Sequence, residues 1–324
     1  MRILLAPMEG VIDHTMRDML TQIGGIDRCV TEFIRVTESK LPSRVFYRLC
    51  PELLEQGHHS CGHTRAGVPV YVQLLGSHCE FMALNAQQAV ALGAPGIDIN
   101  FGCPAKTVNR NDGGSVLLKE PERIFSIVNA VRQAIPTFTP LTVKVRLGFA
   151  NSSLFADVVD AVIAAGANEI TVHARTREDG YRPPAYWHEI NRIKGRCAIP
   201  IIANGEIWNP EDANKCRVDS GCTDIMLGRG ILACPDLARQ ISALQQQEDN
   251  QTMAWCDVLC LLLRFHELSL SLYDRRYVGN RLKQWLGYLR RRYQHANRLF
   301  ENIKRLRCPD AINHQLKREL SYVN

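Results

Sequence analysis

The 324-residue chain contains no apolar run approaching the roughly 20 residues that a membrane helix requires, which argues against a spanning helix. The stretch before Glu9 is too short for a secretory leader, so a cytoplasmic protein with no membrane association is expected. A disulfide framework is also missing. Twelve cysteines are present, but they are scattered, without the spacing of small secreted domains, and free thiols in a reducing compartment account for most of them. No standard zinc pattern occurs either. Cys50, His58, His59, Cys61 and His63 crowd together at intervals matching no usual ligand set, and a polar surface loop explains them without a metal. Acidic residues are scarce in one region: residues 264–318 hold four Asp/Glu against fourteen Lys/Arg, a balance of +10. The rest holds 29 acidic and 25 basic residues, or −4, so a polyanionic partner gripped partly through the tail region is expected.

What is present is a repeated unit. Short apolar runs at 2–6, 29–33, 69–74, 96–100, 141–145, 169–173, 200–203 and 224–227 read as strands buried on both faces, the pattern of a parallel sheet. Helical stretches fall between them, among others at 80–92, 121–134, 154–165 and 210–218. Eight such units in about 245 residues predict an α/β protein with a closed (β/α)8 TIM barrel. From Met253 the period changes. Val278, Leu282, Trp285, Leu286, Leu289, Tyr293, Ala296, Phe300 and Ile303 recur every three or four residues, with Gly279-Asn280 as an interruption or the start of a second helix. The predicted division is a barrel domain at 1–245 and a small all-helical domain at 246–324, joined by a polar linker at 245–252.

Barrel enzymes carry their chemistry at the C-terminal ends of the strands, and these ends are polar here. Pro7-Met8-Glu9, Arg35, Gln73, Asn100 with Cys103, Lys144 and Arg146, His173 with Arg175, Asn204-Gly205-Glu206 and Gly228-Arg229-Gly230 follow the strands in turn. Gly205 and Gly228-Arg229 fall after the seventh and eighth strands, where barrels commonly bind phosphate. Lys144 and Arg146 both reach the mouth if Val145 faces outward, and a lysine there suits a flavin that becomes anionic on reduction. Pairing of Lys144 with Glu206 or Asp98 is the competing reading. Cys103 sits between Gly102 and Pro104 with no histidine beside it in sequence, so its thiol is expected to serve as a proton donor rather than a nucleophile.

Seven ordered motifs resemble the tRNA-dihydrouridine synthases: Ala-Pro-Met-Glu-Gly at 6–10, Gln-Leu-Leu-Gly at 73–76, Asn-Phe-Gly-Cys-Pro at 100–104 with Gly113-Gly114-Ser115, Lys-Val-Arg at 144–146, His-Ala-Arg-Thr at 173–176, Asn-Gly-Glu-Ile at 204–207 and Gly-Arg-Gly at 228–230. The resemblance implies reduction of uridine in the tRNA D-loop to 5,6-dihydrouridine, with NADPH reducing FMN, hydride passing to C6 and Cys103 protonating C5. It implies FMN contacts at Pro7, Met8, Glu9, Gln73, Lys144, His173, Asn204, Gly205, Glu206, Gly228 and Arg229. Asn100 and Tyr181 are implied to hold the uracil. Arg35, Lys283, Trp285 and Arg290 resemble the subfamily acting on uridine 16, and Arg281 adds a further tRNA-binding cation. Lys283 and Arg290, about 10 Å apart along one helix face, fit phosphate contacts, although a solvated face would look similar. A monomer is expected. The competing functions are a small-molecule flavin reductase, which leaves the basic tail without a purpose, and a non-catalytic RNA-binding module.

Overall fold

The computed structural model describes residues 1–54, 61–195, 197–248 and 252–322. Nine strands form one parallel sheet: β1 (Ile3–Leu5), β2 (Arg28–Val30), β3 (Ile34–Arg35), β4 (Val70–Leu75), β5 (Ile97–Asn100), β6 (Leu141–Gly148), β7 (Glu169–Thr176), β8 (Ile201–Asn204) and β9 (Asp224–Leu227). Their order is β2-β1-β9-β8-β7-β6-β5-β4-β3, and a further pairing of β2 with β4 closes eight of them into the TIM barrel. The two-residue β3 is the addition to the eight expected strands. It continues the pairing along β4 at Leu74 and Leu75, beyond the last β2 partner Tyr71. The helices Cys79–Ala91, Pro121–Ala134, Phe155–Ala164 and Pro210–Ser220 lie where the helical periodicity predicts them.

β6 and β7 run three residues beyond their expected ends, and each extension carries a buried arginine whose N–H groups find acceptors within the fold. Arg146 donates to the carbonyls of Gly102, Thr176 and Gly180, and Arg175 to those of Arg182 and Pro184. A buried guanidinium satisfied in this way is compatible with a strand interior. Alternate residues of the strands divide the apolar core. Leu4, Ala6, Val30, Tyr71, Ile202 and Met226 fill the barrel, while Leu5, Val72, Val145 and Ala203 join the layer beneath the helices. Val145 thus faces outward, and Lys144 and Arg146 turn inward.

Four helices follow the barrel: Trp255–Leu272, Arg275–Leu289, Gln294–Ile303 and Pro309–Ser321. Their apolar residues join the outer barrel core in one continuous cluster. Gly279-Asn280 neither interrupts nor starts a helix; Asp274, five residues before Gly279, caps it by accepting from the Arg276 N–H. Gly279 has a packing reason instead, since a Cβ there would lie 2.6 Å from Ile312 Cδ1. Part of the polar linker at 245–252 lies outside the described residues, as do His58 and His59 of the Cys/His cluster. Cys50 is fully buried, and Cys61 donates to the Leu53 carbonyl. Among the described residues no group of three metal-ligating side chains comes together, and no helix is long and apolar enough to cross a membrane.

Candidate active site

A cavity of about 540 Å³ opens at the C-terminal ends of the strands. All eleven residues expected to contact a cofactor line it, from Pro7, Met8 and Glu9 after β1 to Gly228 and Arg229 after β9. Asn100, Cys103 and Tyr181 line it as well. Arg35 is not in its wall, but its charge reaches the Cys103 thiol. Four other lining residues carry weight: Arg146 and Arg175, already noted as strand-end cations, and Trp208 and Tyr288, which sequence reasoning missed.

Cys103 is held by a relay that begins in the barrel interior. Thr142 and Gln73 donate to the two Asp98 carboxylate oxygens, at 2.5 and 2.7 Å. The Gln73 carbonyl accepts from the Asn100 amide at 2.8 Å, and Asn100 Oδ1 accepts from the backbone N–H groups of Gly102 and Cys103 at 2.8 and 2.9 Å. Asn109 and Ser115 close the loop from the other side by donating to the Cys103 carbonyl. Asn100, implied to hold uracil, therefore also fixes the loop bearing the thiol. Burial pushes the Cys103 thiol up from its ordinary value, and the nearby Glu9 carboxylate adds to that. The group is protonated at neutral pH, which suits an acid.

The opposite wall is cationic. Lys144 Nζ donates to Asn204 Oδ1 at 3.2 Å and forms no ion pair with a described carboxylate. Neither carboxylate that the sequence offers as a partner forms a direct ion pair with it: Glu206 pairs with Arg175 and Arg229, and Asp98 accepts from Thr142 and Gln73 while its charge acts on Lys144 from farther away. Burial, reinforced by Arg146, lowers Lys144 to about 8, so it remains largely charged at pH 7. His173 is driven well below its ordinary value by burial and by the cations Arg146, Lys144, Arg175 and Arg229. Its Nε2 accepts from Arg175 at 3.2 Å, which leaves the proton of the neutral ring on Nδ1. Gly205 packs against this ring with φ +120°, and a Cβ there would lie 2.9 Å from the His173 ring. Both glycines of Gly-Arg-Gly border the cavity, and Gly230 also packs on the Ile207 carbonyl, where a Cβ would collide. A half-buried ammonium that forms no direct ion pair, a neutral imidazole and glycine backbone beside Arg229 fit a flat anionic group with a phosphate tail.

The helix Arg275–Leu289 separates the expected tRNA-binding residues into two faces. Arg281 and Trp285 point to the barrel. Arg281 donates to the Gly10 and Val11 carbonyls and pairs with Asp13 at 2.6 Å. Trp285 is only 2% exposed, stacks edge-on against Phe265 and donates its indole N–H to the Leu232 carbonyl at 3.1 Å. The reason is helical phase: positions four apart share a face, and position 283 lies half a turn away. Arg290 is exposed, braced by Asn297 and lying over the Phe300 ring. Lys283 is partly exposed and donates to the Leu306 carbonyl.

Fold and site together define a (β/α)8-barrel enzyme with a protonated thiol facing a cationic pocket. The family profile described as dihydrouridine synthase matches residues 4–318. A tRNA-dihydrouridine(16) synthase of Shewanella oneidensis is 46% identical across the full length of both chains. Those of Aquipseudomonas alcaligenes and Pseudomonas putida are 48% and 49% identical, over 98% and 94% of this chain and 99% and 93% of theirs. The chain belongs to the dihydrouridine synthase family and is an oxidoreductase. Among solved structures, histamine dehydrogenase from Rhizobium sp. 4-9 shares the barrel with TM-score 0.56 at 13% identity, over 76% of this chain and 46% of that one. A 2-naphthoyl-CoA reductase does so with TM-score 0.54 at 10% identity, over 76% of this chain and 50% of that one.

Proposed function

We propose that the protein reduces uridine 16 of the tRNA D-loop to 5,6-dihydrouridine, using FMN and NADPH, as a cytoplasmic monomer. The observation that carries this reading is that Cys103 and Lys144, an acid and a cation in no direct ion pair, open on one cavity. The names of the full-length relatives supply the substrate and the position within it. The 246–324 segment serves as the tRNA-binding domain, with the barrel at 1–245 as the catalytic one.

Lys144, His173, Asn204 and Gly205 would hold the FMN ring system, and Gly228 with Arg229 its phosphate. When bound, FMN reduced by NADPH supplies the hydride taken up at C6 of the uracil. Cys103 gives its Sγ proton to C5, so the C5=C6 double bond gains one hydride and one proton. Asn100 keeps the thiol loop in register through the Gly102 and Cys103 N–H groups. Lys144 stabilises negative charge in the pocket and Tyr181, at the mouth, offers a ring to the flipped base. Arg35, Lys283 and Arg290 contact RNA phosphates.

The test is to map dihydrouridine by position in tRNA from a strain lacking this activity, with and without the chain restored. Dihydrouridine returning at position 16 alone is expected. Its return at position 17 or 20 would refute the position, and no return at all would refute the reaction.

A further inference from the structure

The helix Arg275–Leu289 contributes Tyr288 to the lining of the cavity, which is otherwise built by the barrel and its loops. Its barrel-facing row consists of Arg281, Trp285 and Tyr288, spaced by four and three residues. Arg281 and Trp285 are spent on docking, to Gly10, Val11 and Asp13 and to the Leu232 carbonyl. Tyr288 is not. It lines the cavity, is half-buried, and its hydroxyl has no hydrogen-bond partner among the described residues. Its neighbours are Arg229, which lies 5.3 Å from the Tyr181 ring centroid, and Tyr181 itself. Tyr181 is 54% exposed, so this edge of the cavity is its entrance rather than its floor. A partly desolvated phenol with no protein acceptor is a donor available to a bound molecule.

We infer that Tyr288 is a substrate-binding residue whose O–H donates to an oxygen of the target nucleotide as it enters the cavity. The inference rests on the uridine-reducing reading above and deepens it. The helical segment then completes the catalytic cavity itself, besides gripping RNA outside it. A base is held productively only when the helix is seated, because Tyr288 shares its row with the docking residues Arg281 and Trp285.

Tyr288→Phe isolates the hydroxyl, since the ring and its packing remain. The expected result is a three- to tenfold lower kcat/KM for dihydrouridine formation in tRNA, about the loss of one hydrogen bond between neutral groups. Melting temperature, FMN content and the dissociation constant for tRNA should stay at wild-type values. An active wild type with an equally active Tyr288→Phe overturns this inference alone. A fall in FMN content that accounts for the lower activity also overturns it, by assigning the hydroxyl to the cofactor. A wild type that forms no dihydrouridine overturns both this inference and the reading beneath it.

Discussion

The barrel mouth and the outer face of the helix Arg275–Leu289 are both rich in cations, but they hold them differently. At the mouth Lys144 is half-buried and Arg146 and Arg175 are buried, Arg146 satisfied by backbone carbonyls and Arg175 by carbonyls together with the Glu206 carboxylate. On the helix Arg290 stands in solvent beside Asn297, and Lys283 is only lightly covered. Charge in a desolvated pocket acts strongly on one bound group, whereas exposed charge acts weakly and is screened by salt. The first arrangement suits chemistry and the second suits a polyanion that must also be released.

The largest expected effect lies at the mouth. Cys103→Ala should lower dihydrouridine formation by about 10²–10⁴-fold, the usual span for removing a general acid, while flavin content and tRNA affinity remain. Because burial raises the thiol's pKa, wild-type activity should persist through neutral pH and fall only as the thiol deprotonates above its ordinary alkaline value. A wild-type product yield from Cys103→Ala, measured by mass spectrometry of digested tRNA, would sink the acid assignment.

Next comes a residue that stands on the same helix as the exposed cations yet behaves as core. Trp285→Ala should destabilise the protein by about 3–5 kcal/mol in denaturant unfolding, because it removes the packing against Phe265 and the bond to Leu232. A variant that melts like wild type would return Trp285 to the surface set.

Lys144 sharpens the contrast from the other side. Its folded pKa, about 8, lies below the 10.5 ordinary for lysine, so between those values the unfolded chain binds more protons and stability rises with pH. Below about 8 the buried charge costs a constant amount. Flavin-free Lys144→Met should therefore be more stable than wild type at pH 7 by about 1–3 kcal/mol, despite giving up the bond to Asn204, with the gain shrinking toward pH 10. It should also retain flavin poorly. A destabilised Lys144→Met at pH 7 would mean that the ammonium is not strained in the flavin-free protein.

How much of this was legible in the sequence follows from the same contrast. Strand ends in a parallel barrel announce themselves, because a doubly buried apolar run stops abruptly at a polar residue. That rule located Cys103, Lys144, His173 and Gly228 in one cavity. It failed where a buried arginine continues the strand, as at Arg146 and Arg175, since composition does not reveal that carbonyls, and for Arg175 also Glu206, will satisfy the guanidinium. On the tail helix the periodicity identified an amphipathic element but not which neighbour each face would meet. Arg281 and Lys283 read alike, although one clamps the Gly10 loop and the other lies half a turn away. Tyr288 was hidden in the apolar run between Trp285 and Leu289, because a tyrosine at that spacing reads as core. Trp208 had no local signal at all: its role under Arg229 and Arg291 exists only once β8 and the tail are brought together.

The smallest expected effect tests the exposed cations directly. Lys283→Ala combined with Arg290→Ala should leave stability within about 0.5 kcal/mol of wild type, because neither side chain fills core volume. The same double variant should weaken tRNA binding at low salt and reduce the slope of log affinity against log salt by about 2, one for each phosphate that is no longer neutralised. Its kcat at saturating tRNA should be unchanged, since neither residue lines the cavity. A lower kcat with an unchanged salt slope would show that the outer face couples to chemistry through the helix, and the separation of the two faces would fail. An unchanged slope with unchanged kcat would leave these cations as a solvated helix face and move the RNA contacts elsewhere on the tail.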